Sequence, residues 1–464
     1  MEIMNLCLSV DTRYEQERFD TLVSPAGAIA ALERIELTLE PDARICSIDE
    51  AYPGHEQMVS KVGEVVSDAS SPVLLLFSIV SYNAERTLSL IRSLRAEFGR
   101  RIVTIVGGQM VPYARRAYAR NADIDVTCVG DAESVLPKLL TDLQSGKWRS
   151  EYEGWLSEET ERPAFSTFSY KHYFKIRERM ECQKRVAGFS QLVLQGPGGP
   201  GCSWAAFAGE PCNFCSLQNI AVMNRIPLDE HFESERALQE EYGPDRFFDV
   251  ANQFIPVFGP SASTSVPWLE AFIRMRDRYG VTVPRYVYLT VSSVTEDVAR
   301  LLKRAGVCEA FIGVDHFDSA ALSEEGKPWR SKSQLQRCLD SLADNDIGFR
   351  VGIVLGAAKE SRASLQAIVD GVDFLLSRYH PRALKMIGAY PVAIEPGSRI
   401  FASMQRRGLA SEVFRAFEAN GFLTKDQLDR LSQVYIQHHS DVSIEEIESV
   451  NRQVTKSITE TITA

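Results

Sequence analysis

The chain has 464 residues, with 62 acidic against 51 basic side chains and a formal net charge of −11. That length calls for two or three domains, and the acidic balance argues against a broad electrostatic grip on nucleic acid, which needs a basic face. No stretch reaches the ~18 consecutive apolar residues of a membrane span, and Met1–Asp11 lacks the basic start and cleavage site of a signal peptide, so the expected location is the cytoplasm.

Asn5–Val10 reads as a strand and Pro25–Leu39 as a helix with proline near its start. Short β-branched runs follow at Arg44–Ile48, Val73–Ile79, Ile102–Val106 and Asp125–Val129, with helical stretches such as Ala84–Glu97 and Ala132–Leu143 between them. This alternation predicts a doubly wound, Rossmann-like parallel sheet over residues 1–145, a fold that binds ligands at the carboxyl ends of its strands. Ser81 after one strand and Gly107-Gly108 after the next would let a bulky flat ligand approach that edge, although ordinary turns read the same way. Residues 146–187 are polar, aromatic-rich and aperiodic, and read as a linker.

Strand-like runs resume at Gln191–Leu194, Phe247–Phe254, Tyr286–Val291, Ala310–Val314, Phe349–Leu355 and Leu384–Ala389. Six βα units over residues 188–402 predict a full or partial TIM-type barrel. Residues 403–464 are charged and read as a helical region. The predicted class is therefore α/β, with a doubly wound domain, a barrel-type domain and a helical carboxyl terminus.

Nine cysteines, an odd number spread over a long chain, do not form a disulfide framework. Cys7, Cys46, Cys128, Cys182, Cys308 and Cys338 are scattered and read as small core residues. Cys202, Cys212 and Cys215 sit together in QGPGGPGCSWAAFAGEPCNFCSLQNI, spaced C-x9-C-x2-C directly after the first barrel strand. Barrel enzymes place their chemistry there. Three thiolates in one loop can hold three irons of a [4Fe–4S] cube and leave the fourth open. Gly196, Gly198, Gly199 and Gly201 let the backbone pass close, and Phe214 between the last two cysteines can pack on a flat ligand. A zinc staple wants four ligands. No histidine follows nearby, the next being His231, but spacing alone leaves zinc and a chance grouping open.

Gly201-Cys202-Ser203-Trp204 with Cys212-Asn213-Phe214-Cys215 resembles the cysteine loop of radical S-adenosylmethionine (SAM) enzymes, notably peptide-modifying members with a G-C-x-W…C-x-F-C pattern. The usual spacing there is C-x3-C-x2-C, and nine residues stand here in place of the first three. Phe311–Gly356 resembles the fourth and fifth barrel strands of these enzymes, with Asp315 in place of the usual Glu beside Gly313, Gly326 and Lys327. Tyr390-Pro391 and Glu395-Pro396-Gly397-Ser398 resemble their closing P-G-S segment. Upstream, Gly107-Gly108 and Gly130-Asp131-x-Glu133 resemble the cobalamin-binding domain that precedes many radical SAM barrels.

The resemblance implies a [4Fe–4S] cluster on Cys202, Cys212 and Cys215, SAM contacts from Phe214, Asp315 and Gly352, and cobalamin contacts from Ser81, Gly107 and Gly108. A strand-end cap is the ordinary alternative for Asp315. The D-x-H-x-x-G motif is missing and His55 reads as a surface residue, so cobalamin would have no histidine ligand from that motif. The implied reaction is reductive cleavage of SAM to a 5′-deoxyadenosyl radical, and methylation of an unactivated carbon in a natural-product or peptide substrate. An electron donor such as flavodoxin or ferredoxin would serve it, and no catalytic residue is assigned. A radical rearrangement, cyclisation or epimerisation with cobalamin non-methylating or absent stands beside that reading, as does a non-catalytic metal- or cobalamin-binding protein. His316, Tyr390 and Lys385 fall near the barrel mouth, where such residues are more often structural.

Overall fold

The computed structural model describes residues 2–8, 22–23, 44–50, 55–81, 83–155, 191–194, 202, 204–205, 211–216, 226–255, 265–327, 329 and 331–463. The expected helix Pro25–Leu39, most of the expected linker and the glycines at 196, 198, 199 and 201 lie outside these residues, as do the side chains of Cys7, Cys46, His55 and Cys182. Two compact units form. The first comprises Met1–Leu194, Glu233–Asp245 and Glu412–Thr424, and the second Gln195–Phe232, Arg246–Ser411 and Lys425–Ala464.

In the first unit the strands are β1 (Glu2–Leu8), β2 (Leu22–Val23), β3 (Arg44–Glu50), β4 (Val73–Ser78), β5 (Ile102–Gly107), β6 (Val126–Gly130), β7 (Glu151–Gly154) and β8 (Gln191–Leu194). The helices are α1 (His55–Asp68), α2 (Ala84–Phe98), α3 (Val111–Ala119) and α4 (Ala132–Gln144). Six strands pair in parallel in the order β3-β1-β4-β5-β6-β7. The chain winds one way from β1 and the other way from β4, so the switch point of this doubly wound sheet lies between them. β4 is a continuous apolar run, as a strand covered on both faces must be. In α2 the buried Ala84, Thr87, Leu88, Ile91 and Leu94 recur at helical spacing and make one inward stripe. Leu74, Leu76, Ile105, Val126, Leu136, Leu139 and Tyr152 form the core.

The sheet extends into the expected linker. β7 pairs with β6 from Thr127↔Glu151 to Gly130↔Gly154. Arg115 holds this edge strand through Glu151 and Glu153, the second pair at 3.0 Å. β2 pairs in parallel with β8.

Chain order continues with α5 (Leu228–Tyr242), β9 (Arg246–Asp249), α6 (Val266–Tyr279), β10 (Arg285–Thr290), α7 (Glu296–Arg304), β11 (Val307–Asp315), α8 (Ser319–Glu324), α9 (Lys332–Asp344), β12 (Gly348–Leu355), α10 (Arg362–Tyr379) and β13 (Leu384–Pro391). It ends with α11 (Arg399–Arg406), α12 (Ser411–Asn420), α13 (Lys425–His439) and α14 (Ile444–Thr463). In the second unit β9 to β13 pair in parallel in sequence order. Strand and helix alternate as the sequence predicts, and the run is open at β13.

Side chains alternate faces along each strand. Ala310, Ile312 and Val314 of β11, with Phe349, Val351 and Ile353 of β12, form the buried face. The other face carries an ion network at the amino ends of the strands, where Glu309 binds Arg246 at 2.5 Å and also Arg350. On the buried face Arg285 pairs with Asp249 at 3.1 Å, both side chains being fully buried. Asp249 ends β9 well short of the expected Phe254. The helical terminus is structural: α14 packs on α10 and β13, and the hydrogen of Gly356 leaves room for Ile436 and Ile447. No helix among the described residues is long and apolar enough to cross a membrane.

Candidate functional site

The site begins with how α8 ends. Gly326 takes φ 72, Gly326 N–H donates to Ser323 O at 3.2 Å and Lys327 N–H to Leu322 O at 3.0 Å. These two bonds define a Schellman cap, which needs glycine at its left-handed position. A helix end leaves carbonyls without intrahelical partners, and here the cysteine loop supplies the donors. Asn213 Nδ2 donates to Glu324 O, Asn213 N–H to Glu325 O at 3.2 Å, and Trp204 Nε1 to Gly326 O at 2.9 Å. The Cys212 thiol lies 3.9 Å from the same Gly326 oxygen.

On the other side, Ile400 N–H in the first turn of α11 donates to Asn213 O at 3.1 Å. Ser398 caps that helix, its Oγ accepting from Phe401 N–H at 3.1 Å. The P-G-S segment thus seats the loop through the helix it starts. Cys215 N–H closes a tight turn onto Cys212 O at 3.0 Å.

β11 bulges between Gly313 and Asp315, and Asp315 takes φ 61. Aspartate tolerates this left-handed conformation better than most residues. Its carboxylate is met by Lys327 Nζ at 2.5 Å. The same ammonium stands 4.9 Å from the ring centroid of Phe214. Burial pushes the Cys212 thiol up to about 11, with Lys327 pulling against it and Asp315, Cys215 and Cys202 adding to it. Burial works against the Lys327 charge, but Asp315, Cys212 and Cys215 together hold it above the usual lysine range. The three cysteines and Phe214 of one loop and the sequence-distant Asp315 and Lys327 therefore form one electrostatic cluster. Three soft sulfur donors beside a single cation suit iron–sulfur ligation better than a four-ligand zinc staple. His231, edge-on to Phe232 with ring centroids 5.2 Å apart, is packed in an aromatic core.

The scattered cysteines differ. Cys128 and Cys338 are buried, and burial pushes both thiols up to about 12, where they stay neutral. The Cys308 thiol donates to Arg285 O at 3.3 Å.

Gly352 stands in register between Gly313 and Gly388. A Cβ on Gly352 would lie 2.6 Å from Phe311 Cζ, so the Phe311 ring fills the space above it. His316 is fully enclosed. Its Nδ1 accepts from Asp318 N–H at 2.9 Å, which leaves Nε2 to donate to Glu360 at 3.2 Å. That makes it a structural residue. Tyr390 is exposed at the end of β13, and Lys385 is exposed near its start.

In the first unit, Ser81 lies in the loop after β4, beside the switch point. Asn83 shapes this loop, its Oδ1 accepting from Val80 N–H at 2.9 Å and its Nδ2 donating to Ser78 O at 3.1 Å. Gly107 ends β5, and Gly108 takes φ 103 with Ile79 backbone 2.6 Å from where its Cβ would be. Gly130, at φ 107, faces Gly154 O more closely still, a Cβ there falling 1.9 Å from that oxygen. The last two glycines are needed for backbone packing whatever ligand approaches.

Sequence reasoning quotes Trp204 and Asn213 within the cysteine motif without giving either a role, and it misses Glu325. Glu325 is 2% exposed. One of its oxygens accepts from Ala358 N–H at 3.3 Å, and Oε2 has no hydrogen-bond partner among the described residues. Burial pushes this carboxyl up to about 7, with Ala358 N–H and Lys327 opposing.

The fold is shared with solved radical SAM enzymes. The radical SAM methyltransferase TsrM from Kitasatospora setae, with cobalamin and a [4Fe-4S] cluster bound, aligns with a TM-score of 0.64 at 14% identity over 88% of this chain and 75% of that one. With tryptophan substrate and a SAM analogue bound, TsrM aligns with a TM-score of 0.63, also at 14% identity, over 88% of this chain and 76% of that one. The cobalamin-dependent SAM radical enzyme OxsB, with aqua-cobalamin and SAM bound, aligns at 0.59 and 13% identity over 99% of this chain. This chain spans 61% of OxsB. No family model matches the sequence, and no curated protein does.

Proposed function

We propose that this chain is a cobalamin-dependent radical SAM enzyme that methylates an unactivated carbon of a small-molecule or peptide natural product. The observation that carries the reading is the assembly of Cys202, Cys212 and Cys215 around the Asp315–Lys327 pair, in a fold shared with TsrM and OxsB. The three cysteines would hold the cluster. Asp315, Phe214 and Gly352 would contact SAM, and Ser81, Gly107 and Gly108 would contact cobalamin. When bound, these groups supply the electron that cleaves SAM and the carrier of the methyl group.

The chain's own residues do the positioning. Asn213 and Trp204 fix the cysteine loop on three carbonyls. Asp315 offers a carboxylate to the amino group of SAM, and the bulge before it sets its direction. The loop after β4 presents Ser81 at the switch point, the place where doubly wound sheets receive ligands.

Anaerobic reconstitution with iron and sulfide tests the reading, a full cube giving about four irons per chain and a brown chromophore. Cys202→Ala, Cys212→Ala and Cys215→Ala should each abolish the chromophore, while Cys338→Ala should keep it. A colourless wild type would overturn the enzyme reading. With a low-potential reductant or reduced flavodoxin, turnover should release both S-adenosylhomocysteine and 5′-deoxyadenosine. Deoxyadenosine alone would point to a rearrangement, cyclisation or epimerisation instead. Failure to retain cobalamin through gel filtration would remove that cofactor.

A further inference from the structure

Lys327 is a cation with little access to water, its side chain being 15% exposed. Desolvating an ammonium is costly unless negative charge stands beside it. Asp315 answers one charge at 2.5 Å. The ammonium also faces the ring of Phe214, whose chain neighbours on both sides are Asn213 and the ligand Cys215. An aromatic face adds a modest attraction of its own. Around the same spot the protein presents partial negative charge: the Gly326 carbonyl is 3.9 Å from Cys212 Sγ, and the Glu324 and Glu325 carbonyls point at the loop. Such carbonyls disfavour an anionic group, and Lys327 is the next residue in the chain after them.

Three thiolates around a doubly positive iron–sulfide core leave one net negative charge, and one-electron reduction makes it two. A fixed cation beside the sulfurs stabilises the reduced form more than the oxidised one. We propose that Lys327, held by Asp315 over Phe214, is the counter-charge of a cluster bound by Cys202, Cys212 and Cys215, and that it makes this cluster easier to reduce. The inference rests on the three-cysteine cluster proposed above and assigns Lys327 as a positioning residue acting through charge.

The test is the midpoint potential of the reconstituted full-length protein, measured by reductive titration with the electron paramagnetic resonance signal as readout. Lys327→Met should keep about four irons per chain and become at least tenfold harder to reduce, a fall of about 59 mV for a one-electron couple. Lys327→Arg keeps the charge and should stay near the wild type. Asp315→Asn removes the opposing charge and should move the potential upward. A loaded Lys327→Met protein with the wild-type potential would overturn the proposal while leaving the cluster reading intact. If Lys327→Met fails to hold iron, Asp315→Asn decides: a raised potential supports the proposal and an unchanged one overturns it. Loss of iron in both variants also overturns it, because the pair would then be structural. A wild type without a cluster is the separate outcome that defeats the underlying reading.

Discussion

Glu325 holds its backbone carbonyl toward the cysteine loop and its carboxyl in the interior. Burial has moved that carboxyl from the ordinary 4.5 up to about 7. The folded state therefore binds this proton more tightly than the unfolded state does, so the contribution of Glu325 to stability is fully present below pH 4.5 and is lost as pH rises through 7. The penalty at alkaline pH is on the order of 3 kcal/mol. Glu325→Gln mimics the protonated form, so the wild type should lose stability relative to this variant between pH 5 and pH 8 in urea titrations. Parallel profiles would refute the assignment. At this scale the sequence is legible where chemistry shows in residue type, as at the cysteine trio. Asn213 and Trp204 are not legible, because an amide and an indole acquire their roles only when carbonyls more than a hundred positions away are brought to them.

Individual elements follow their local patterns closely, with instructive exceptions. β4, β5, β11 and β12 lie within a few residues of their predicted runs because β-branched and apolar stretches leave little choice. β7 was illegible: Glu-Tyr-Glu-Gly buries only Tyr152, and the strand exists through pairing with β6 and through Arg115. Its join depends on Gly130, whose Cβ would sit 1.9 Å from Gly154 O. Gly130→Ala should cost more than about 2 kcal/mol and expose β7 first in hydrogen exchange. In the second unit, Trp204→Phe removes one donor from the α8 cap and leaves Gly326 O without that partner, a loss of about 1 kcal/mol. Iron content should survive, and faster loss of iron to a chelator would mark the loosened loop.

Across the whole molecule, the two compact units are not consecutive stretches of chain. Glu233–Asp245 and Glu412–Thr424 return to the first unit, where Tyr118 Oη donates to Gly421 O at 2.7 Å. No local pattern announces such a return, since it depends on which apolar surfaces find each other. The same holds for α14, which reads as a charged tail yet buries Ile447 and Val454. Removing Ile444–Ala464 uncovers β13 and α10, and the shortened chain should melt well below the wild type and load less iron.

The carbonyl platform at the end of α8 has a further consequence. It grips the cysteine loop just after Cys202 and again just after Cys212, so the placing of Cys212 does not depend on the number of residues between the grips. Doubling such a loop costs only about 0.6 kcal/mol. About five glycine and serine residues inserted between Trp204 and Pro211 should leave iron content unchanged. The nine-residue spacing that sets this chain apart in sequence would then be a tether between two fixed points, and a natural place to graft a recognition segment.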